Sequence, residues 1–175
     1  YSVSDNLASC WMLRPEMVGD FLLVNGDTLF PAAALETLFA SPDAPVTVTI
    51  DKKPHYDDDD MKVVLDGTRL TSIGKRLDSA RIDGESIGLL YFRGDGPALF
   101  ADTLDRAMRQ PEGLRKWFLS AIGDLAGRHE VQTHSIEGLD WQEVDYPLDL
   151  KRARALVAEW GMTAVEADET SATAQ

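Results

Sequence analysis

The 175-residue chain is 44% hydrophobic and 27% charged, the composition of one ordinary globular domain that can bury roughly two-thirds of its unfolded surface. Its 17 Lys and Arg against 30 Asp and Glu give a formal net charge of -13, which repels a phosphate backbone over most of the surface and excludes nucleic-acid binding as the main activity. A phosphorylated small molecule would need a local basic group or a divalent cation to offset that field.

In chain order, Tyr1-Ser2-Val3-Ser4-Asp5 supplies capping side chains, and Leu7, Trp11 and Met12 follow at helical spacing until Pro15, which predicts a short helix. Phe21-Leu22-Leu23-Val24 is a continuous apolar run stopped by Asn25-Gly26-Asp27. That is the pattern of a central strand buried on both faces and ending in a turn. Pro31 suits a first helical turn, with Leu35, Leu38 and Phe39 extending the stripe. Val46-Thr47-Val48-Thr49-Ile50 reads as a strand, and Asp57 to Asp60 as a solvated acidic loop. Met61 to Leu65 and Arg69 to Ile73 flank Asp66-Gly67, the dipeptide of a tight hairpin. A loop from Gly74 to Glu85 leads to a strand over 87–92, in which Gly88 marks a close backbone approach.

Leu99, Phe100, Leu104 and Met108 mark one helix, and Leu114, Trp117, Phe118, Ala121, Ile122 and Leu125 a second. Val131 to Ile136 reads as a short strand, and Pro147 starts a final helix carrying Leu150, Ala153, Val157 and Trp160. Beyond about Thr163 no apolar stripe continues, so 163–175 is expected to be a disordered tail. Strands alternating with helices, plus one hairpin, predict a three-layer α/β/α sandwich over 1–162 with a mostly parallel mixed sheet. The lone Cys10 forms no internal disulfide and no apolar leader opens the sequence. A cytoplasmic protein without a membrane span is the expectation.

Ligands of such sheets sit outside the carboxyl ends of the strands, which directs attention to Asn25 through Thr28. Asp27 emerges there after a glycine, and Asp145 occupies a second turn, Glu143-Val144-Asp145-Tyr146-Pro147. A hard cation such as Mg²⁺ takes one or two protein carboxylates and fills its shell with water and phosphate oxygens. Spacing alone leaves open that Asp27 closes an Asx turn and Asp145 caps a helix. Gly84-Glu85-Ser86-Ile87-Gly88 fits the G-x-S-x-G pattern, but its apolar strand follows Ser86 instead of preceding it, against a nucleophile elbow based on His129 or His134. Gly94-Asp95-Gly96 lies between strand and helix yet lacks the third glycine of a dinucleotide fingerprint, so it reads as a turn. Trp117 reads as core, Trp141 as a turn residue open to a ligand, and Lys75 as one of few cations near the loops.

Two segments resemble the nucleotidyltransferases that join an NTP to a phosphorylated acceptor. Ser4-Asp5-Asn6-Leu7-Ala8 followed by Phe21 to Phe30 is similar to their Asp-x-Leu-Ala helix and Gly-Asp-x-x-Phe strand end. Trp141 to Leu150 is similar to their Trp-x-Asp-x-Asp-x-Pro-Glu-Asp ending, most of all in the choline-phosphate and inositol-phosphate cytidylyltransferases. The resemblance covers about 1–160 and implies a Rossmann-like nucleotidyltransferase fold. It also implies an NTP, with CTP favoured, a phosphorylated small acceptor, and Mg²⁺ held by Asp27 and Asp145. By the same resemblance Asn6, Leu7 and Gly26 join Asp27 around the nucleotide. Lys75 neutralises the acceptor phosphate, and Glu85, Gly88 and Trp141 border the acceptor, with Trp117 or Trp141 able to face a quaternary ammonium.

The family's first strand and its glycine-rich loop with Arg and Pro-Lys do not occur in the sequence, which begins at Tyr1. The expectation is therefore a fold lacking its first strands, inactive by itself. A sugar-1-phosphate nucleotidyltransferase using another base and a non-catalytic nucleotide-binding relative are the alternatives.

Overall fold

The computed structural model describes residues 5–77 and 81–161, so the expected tail lies outside the described residues. Six strands, β1 (Phe21–Val24), β3 (Val46–Asp51), β4 (Lys62–Asp66), β5 (Arg69–Gly74), β6 (Gly84–Phe92) and β7 (Val131–Ser135), form one sheet in the order β1-β6-β3-β7-β5-β4. A separate pair joins β2 (Thr28–Leu29) to β8 (Gln142–Glu143). The helices are α1 (Asn6–Leu13), α2 (Ala32–Phe39), α3 (Gly96–Met108), α4 (Phe118–Ala126) and α5 (Pro147–Glu159). None is long and apolar enough to cross a membrane.

Three layers form, as the alternation of strands and helices predicts. Side chains alternate across the sheet, so Val46, Val48, Ile50, Leu90 and Phe92 face α1, α3 and α4, where they meet Leu7, Phe100, Leu104 and Ile122. On the other face Ile87 and Leu89 pack against Ala34 and Leu38 of α2. Phe92 ties the sheet to α3, its ring centre 4.5 Å from that of Phe21 and 4.7 Å from that of Phe100.

The sheet is mixed, as expected, but its pairings are mostly antiparallel: among the described strands only β3 and β7 pair in parallel. Strands β1 and β3 do point the same way, as a crossover through α2 requires. However, β6 enters between them antiparallel to both. Strand β1 is therefore an edge of the described sheet and not a central strand, and its residues are half-buried or exposed.

Three local boundaries also differ. In the hairpin Asp66 pairs with Arg69, so Gly67-Thr68 makes the turn, with Gly67 at φ 64°. The second helix starts at Phe118, because the Asn6 side chain accepts the Phe118 N–H at 2.8 Å and caps it. Trp117 is thereby left outside the stripe and 40% exposed. In α5 only Ala153 is buried, while Leu150 stays exposed.

Gly88 is a close approach, as its place in the strand predicts. The register between β3 and β6 steps from Val48 opposite Leu90 to Ile50 opposite Ser86, a bulge centred on Gly88. Gly88 has φ 74°, and a Cβ there would lie 2.4 Å from the Asn25 amide nitrogen. Its carbonyl accepts the Asn25 N–H at 2.9 Å. The bulge thus seats the turn that carries Asp27. Gly88→Ala is expected to cost about 3 kcal/mol of folding stability through strain and overlap. Asn25→Ala in the same chain should return part of it, as measured by urea unfolding of the single and double variants.

Candidate functional site

A cavity of about 820 Å³ opens where the β1–β2 turn, β8 and the start of α5 meet the beginning of β6 and the loop after β3. Asp27 and Asp145 are far apart in sequence, and the β2–β8 pair brings them together. Thr28 stands opposite Glu143, and the Val144 N–H donates to the Asp27 carbonyl at 2.9 Å. Asp27, Glu143 and Asp145 then offer carboxylate oxygens that all lie within 4.8 Å of one another. Three carboxylates are the donor chemistry of a hard divalent cation.

Sequence reading missed Glu143. Its signal was the spacing: Glu143 and Asp145 are two residues apart in extended chain, which puts both side chains on one side. Burial pushes the Glu143 carboxyl above its ordinary range, and the charges of Asp145 and Asp27 push it further, against a weaker pull from Lys75. A bound cation would relieve that repulsion.

The Lys75 ammonium stands 4.5 Å from the centre of the Trp117 ring and 3.5 Å from Asp59 at the cavity wall. Deeper, Glu85 is 4% exposed and lies 3.0 Å from the Lys53 ammonium, which also holds Asp60 at 2.8 Å. Asp60 in addition accepts the Asp57 N–H at 2.6 Å, and the acidic run is the solvated loop expected, exposed over 57–59 with Asp57, Asp59 and Asp60 on the cavity wall. Trp141 lines the cavity with its indole N–H donated to Asp51 at 2.9 Å.

The remaining expectations divide. Asn6 lines the cavity, but Leu7 does not: one helical step turns it inward, where it is fully buried in the core. Gly26 and Gly88 lie outside the lining and shape the turn under Asp27 instead. Ser86 is buried with its hydroxyl accepting the Gly88 N–H at 3.3 Å, and among the described residues no histidine lines the cavity. The described residues thus bring no histidine to Ser86 in this cavity. Gly94-Asp95-Gly96 is a closed turn, its Gly94 N–H taken by Asp20 at 2.9 Å.

Neither a protein-family model nor a curated protein matches the sequence. Solved structures do match the fold. The inositol-1-phosphate CTP transferase from T. maritima superposes with a TM-score of 0.72 at 20% identity, covering 90% of this chain and 64% of that one. The CTP:phosphocholine cytidylyltransferase from Streptococcus pneumoniae gives 0.63 at 14% identity, covering 90% and 65%. The CMP:2-keto-3-deoxy-manno-octonic acid synthetase gives 0.60 at 14%, covering 89% and 68%. The chain thus has the fold of these nucleotidyltransferases and spans less than two thirds of the length of the first two.

Burial raises the Glu85 carboxyl from 4.5 to about 7, with Lys53 pulling it down and Asp60 pushing it up. A group whose folded pKa is raised gives stability that is full below the unfolded pKa and lost as pH rises through the folded one. Folding is therefore expected to weaken through this group between pH 4.5 and about 7. Glu85→Gln should flatten that decline in a series of melting curves across the same window, and an unchanged slope would remove Glu85 as its source.

Proposed function

We propose that the chain belongs to a Mg²⁺-dependent nucleotidyltransferase that moves a nucleotidyl group, cytidylyl by preference, from an NTP to a phosphorylated small acceptor and releases pyrophosphate. The observation that carries this reading is the convergence of Asp27, Glu143 and Asp145 on one cavity of a nucleotidyltransferase fold. The preference for CTP rests on two of the structural neighbours being CTP-using transferases.

In the reaction, an acceptor phosphate oxygen attacks the α-phosphorus in line and forms a new P–O bond. The bond from the α-phosphorus to the bridging oxygen breaks, and pyrophosphate leaves with its electron pair. Chemistry of this kind needs positioning and charge neutralisation more than a covalent nucleophile, consistent with a buried Ser86 to which the described residues bring no histidine in this cavity. A divalent cation bound to Asp27, Glu143 and Asp145 supplies neutralisation of the reacting phosphates. Lys75 presents its ammonium to the acceptor phosphate, and Trp117 and Asp59 fix the position of that charge. The β2–β8 pairing holds the carboxylates in place without help from the substrate.

The test is pyrophosphate release by the full-length protein across CTP, UTP, dTTP and ATP, each with choline phosphate, inositol phosphate and hexose 1-phosphates. Asp27→Ala and Asp145→Ala should each lower turnover by about a thousandfold, the scale of several kcal/mol of lost charge stabilisation. Glu143→Ala is expected to raise the Mg²⁺ concentration needed for half-maximal rate. Turnover and Mg²⁺ dependence that survive all three substitutions would sink the proposal.

A further inference from the structure

The cavity is heavily acidic, and its cations are unequally committed. Lys53 bridges Glu85 and Asp60, at 3.0 and 2.8 Å. Lys75 is shared between Asp59 and the face of Trp117. Arg152 is the third cation of the lining, and among the described residues it enters no ion pair and no ring contact.

Its placement follows from α5. Asp149, Arg152 and Ala153 share one side of that helix by their spacing of three and four residues. Ala153, 2% exposed, anchors this side to the body of the protein, and Asp149 and Arg152 both line the cavity. The Asp149 carboxylate is already occupied, accepting the Tyr146 N–H at 2.9 Å to cap the helix. An uncommitted guanidinium is thus left at the mouth of an acidic cavity, close in the chain to Asp145. Lys151 and Arg154, on other sides of α5, do not line it.

We infer that Arg152 is a phosphate-binding residue of this site. A polyanion approaching so many carboxylates needs a cation that is not already neutralised. The planar fork of Arg matches phosphate oxygens and keeps its charge at any working pH. This assignment rests on the reading of the cavity as a site for phosphorylated substrates, and it adds a group that neither the sequence motifs nor the carboxylate cluster contains. The phosphate belongs either to the nucleotide or to the acceptor, and the probes separate the two.

The experiment is calorimetric titration of the full-length protein in MgCl₂ with CTP, with pyrophosphate and with inorganic phosphate. Wild type, Arg152→Ala, Arg152→Lys and Arg154→Ala are compared, and the melting temperature of each is recorded. Arg152→Ala should weaken binding by about tenfold or more, the loss of one charge-assisted contact. A loss with CTP and pyrophosphate places the guanidinium on the nucleotide, and a loss confined to inorganic phosphate places it on the acceptor. Arg152→Lys should recover only part, and Arg154→Ala should match wild type. If Arg152→Ala melts early, the comparison of Arg152→Lys with wild type carries the test. The assignment is overturned if the Arg152 variants bind every probe as wild type does, or if Arg154→Ala loses as much. Wild type that binds the probes but releases no pyrophosphate from any NTP would end the functional proposal and leave Arg152 standing. Wild type that binds none of them would end both.

Discussion

A two-residue strand pair decides whether this cavity contains anything chemically useful. Strands β2 and β8 contribute little to the core, yet their ladder and the bond from Val144 to the Asp27 carbonyl are what place Asp27 beside Glu143 and Asp145. Carboxylates repel one another, and burial already raises the Glu143 carboxyl. Backbone hydrogen bonds, indifferent to side-chain charge, supply the geometry that the side chains by themselves would resist. The turn on the other side is held by a different device, the bulge at Gly88 into which Asn25 packs. Between them, the pair and the bulge give Asp27 a fixed backbone.

The rest of the cavity follows an electrostatic logic set by the net charge of -13. Lys53 lies between Glu85 and Asp60, so a single half-buried ammonium serves two carboxylates. That arrangement leaves Glu85 with a raised pKa because its desolvation exceeds what one shared cation returns. Lys75 is steered by an aromatic face and by an exposed carboxylate that solvent screens. The cations grade from Lys53, held by two carboxylates, through Lys75 to Arg152, which enters no ion pair among the described residues.

Much of the organisation was legible in the chain. The run Phe21 to Val24 ending in Asn25-Gly26-Asp27, the β-branched stretch at 46–50 and the stripe from Phe118 to Leu125 form the strands and helices their patterns predict. Asp27 and Asp145 share one site, and Lys75, Glu85 and Trp141 line the same cavity. What misled was neighbourhood. Alternation of strands and helices gave the common direction of β1, β3 and β7, but it carries no information on which strand lies between them, and β6 entered antiparallel. Leu7 and Trp117 exchanged expected surroundings for a similar reason, since the cap that Asn6 places on Phe118 lies 112 positions away in the sequence.

By itself, then, the sequence determined the local elements, the identity of the two turn aspartates and the acidic field any ligand must meet, because periodicity, glycine placement and charge are properties of short stretches. Only the tertiary structure decided the order of strands in the sheet, the inclusion of Glu143, the Lys53 bridge and the lack of an ion pair at Arg152 among the described residues. Those depend on contacts between distant segments, where hydrogen-bond ladders and burial, not local preference, choose which side chains meet.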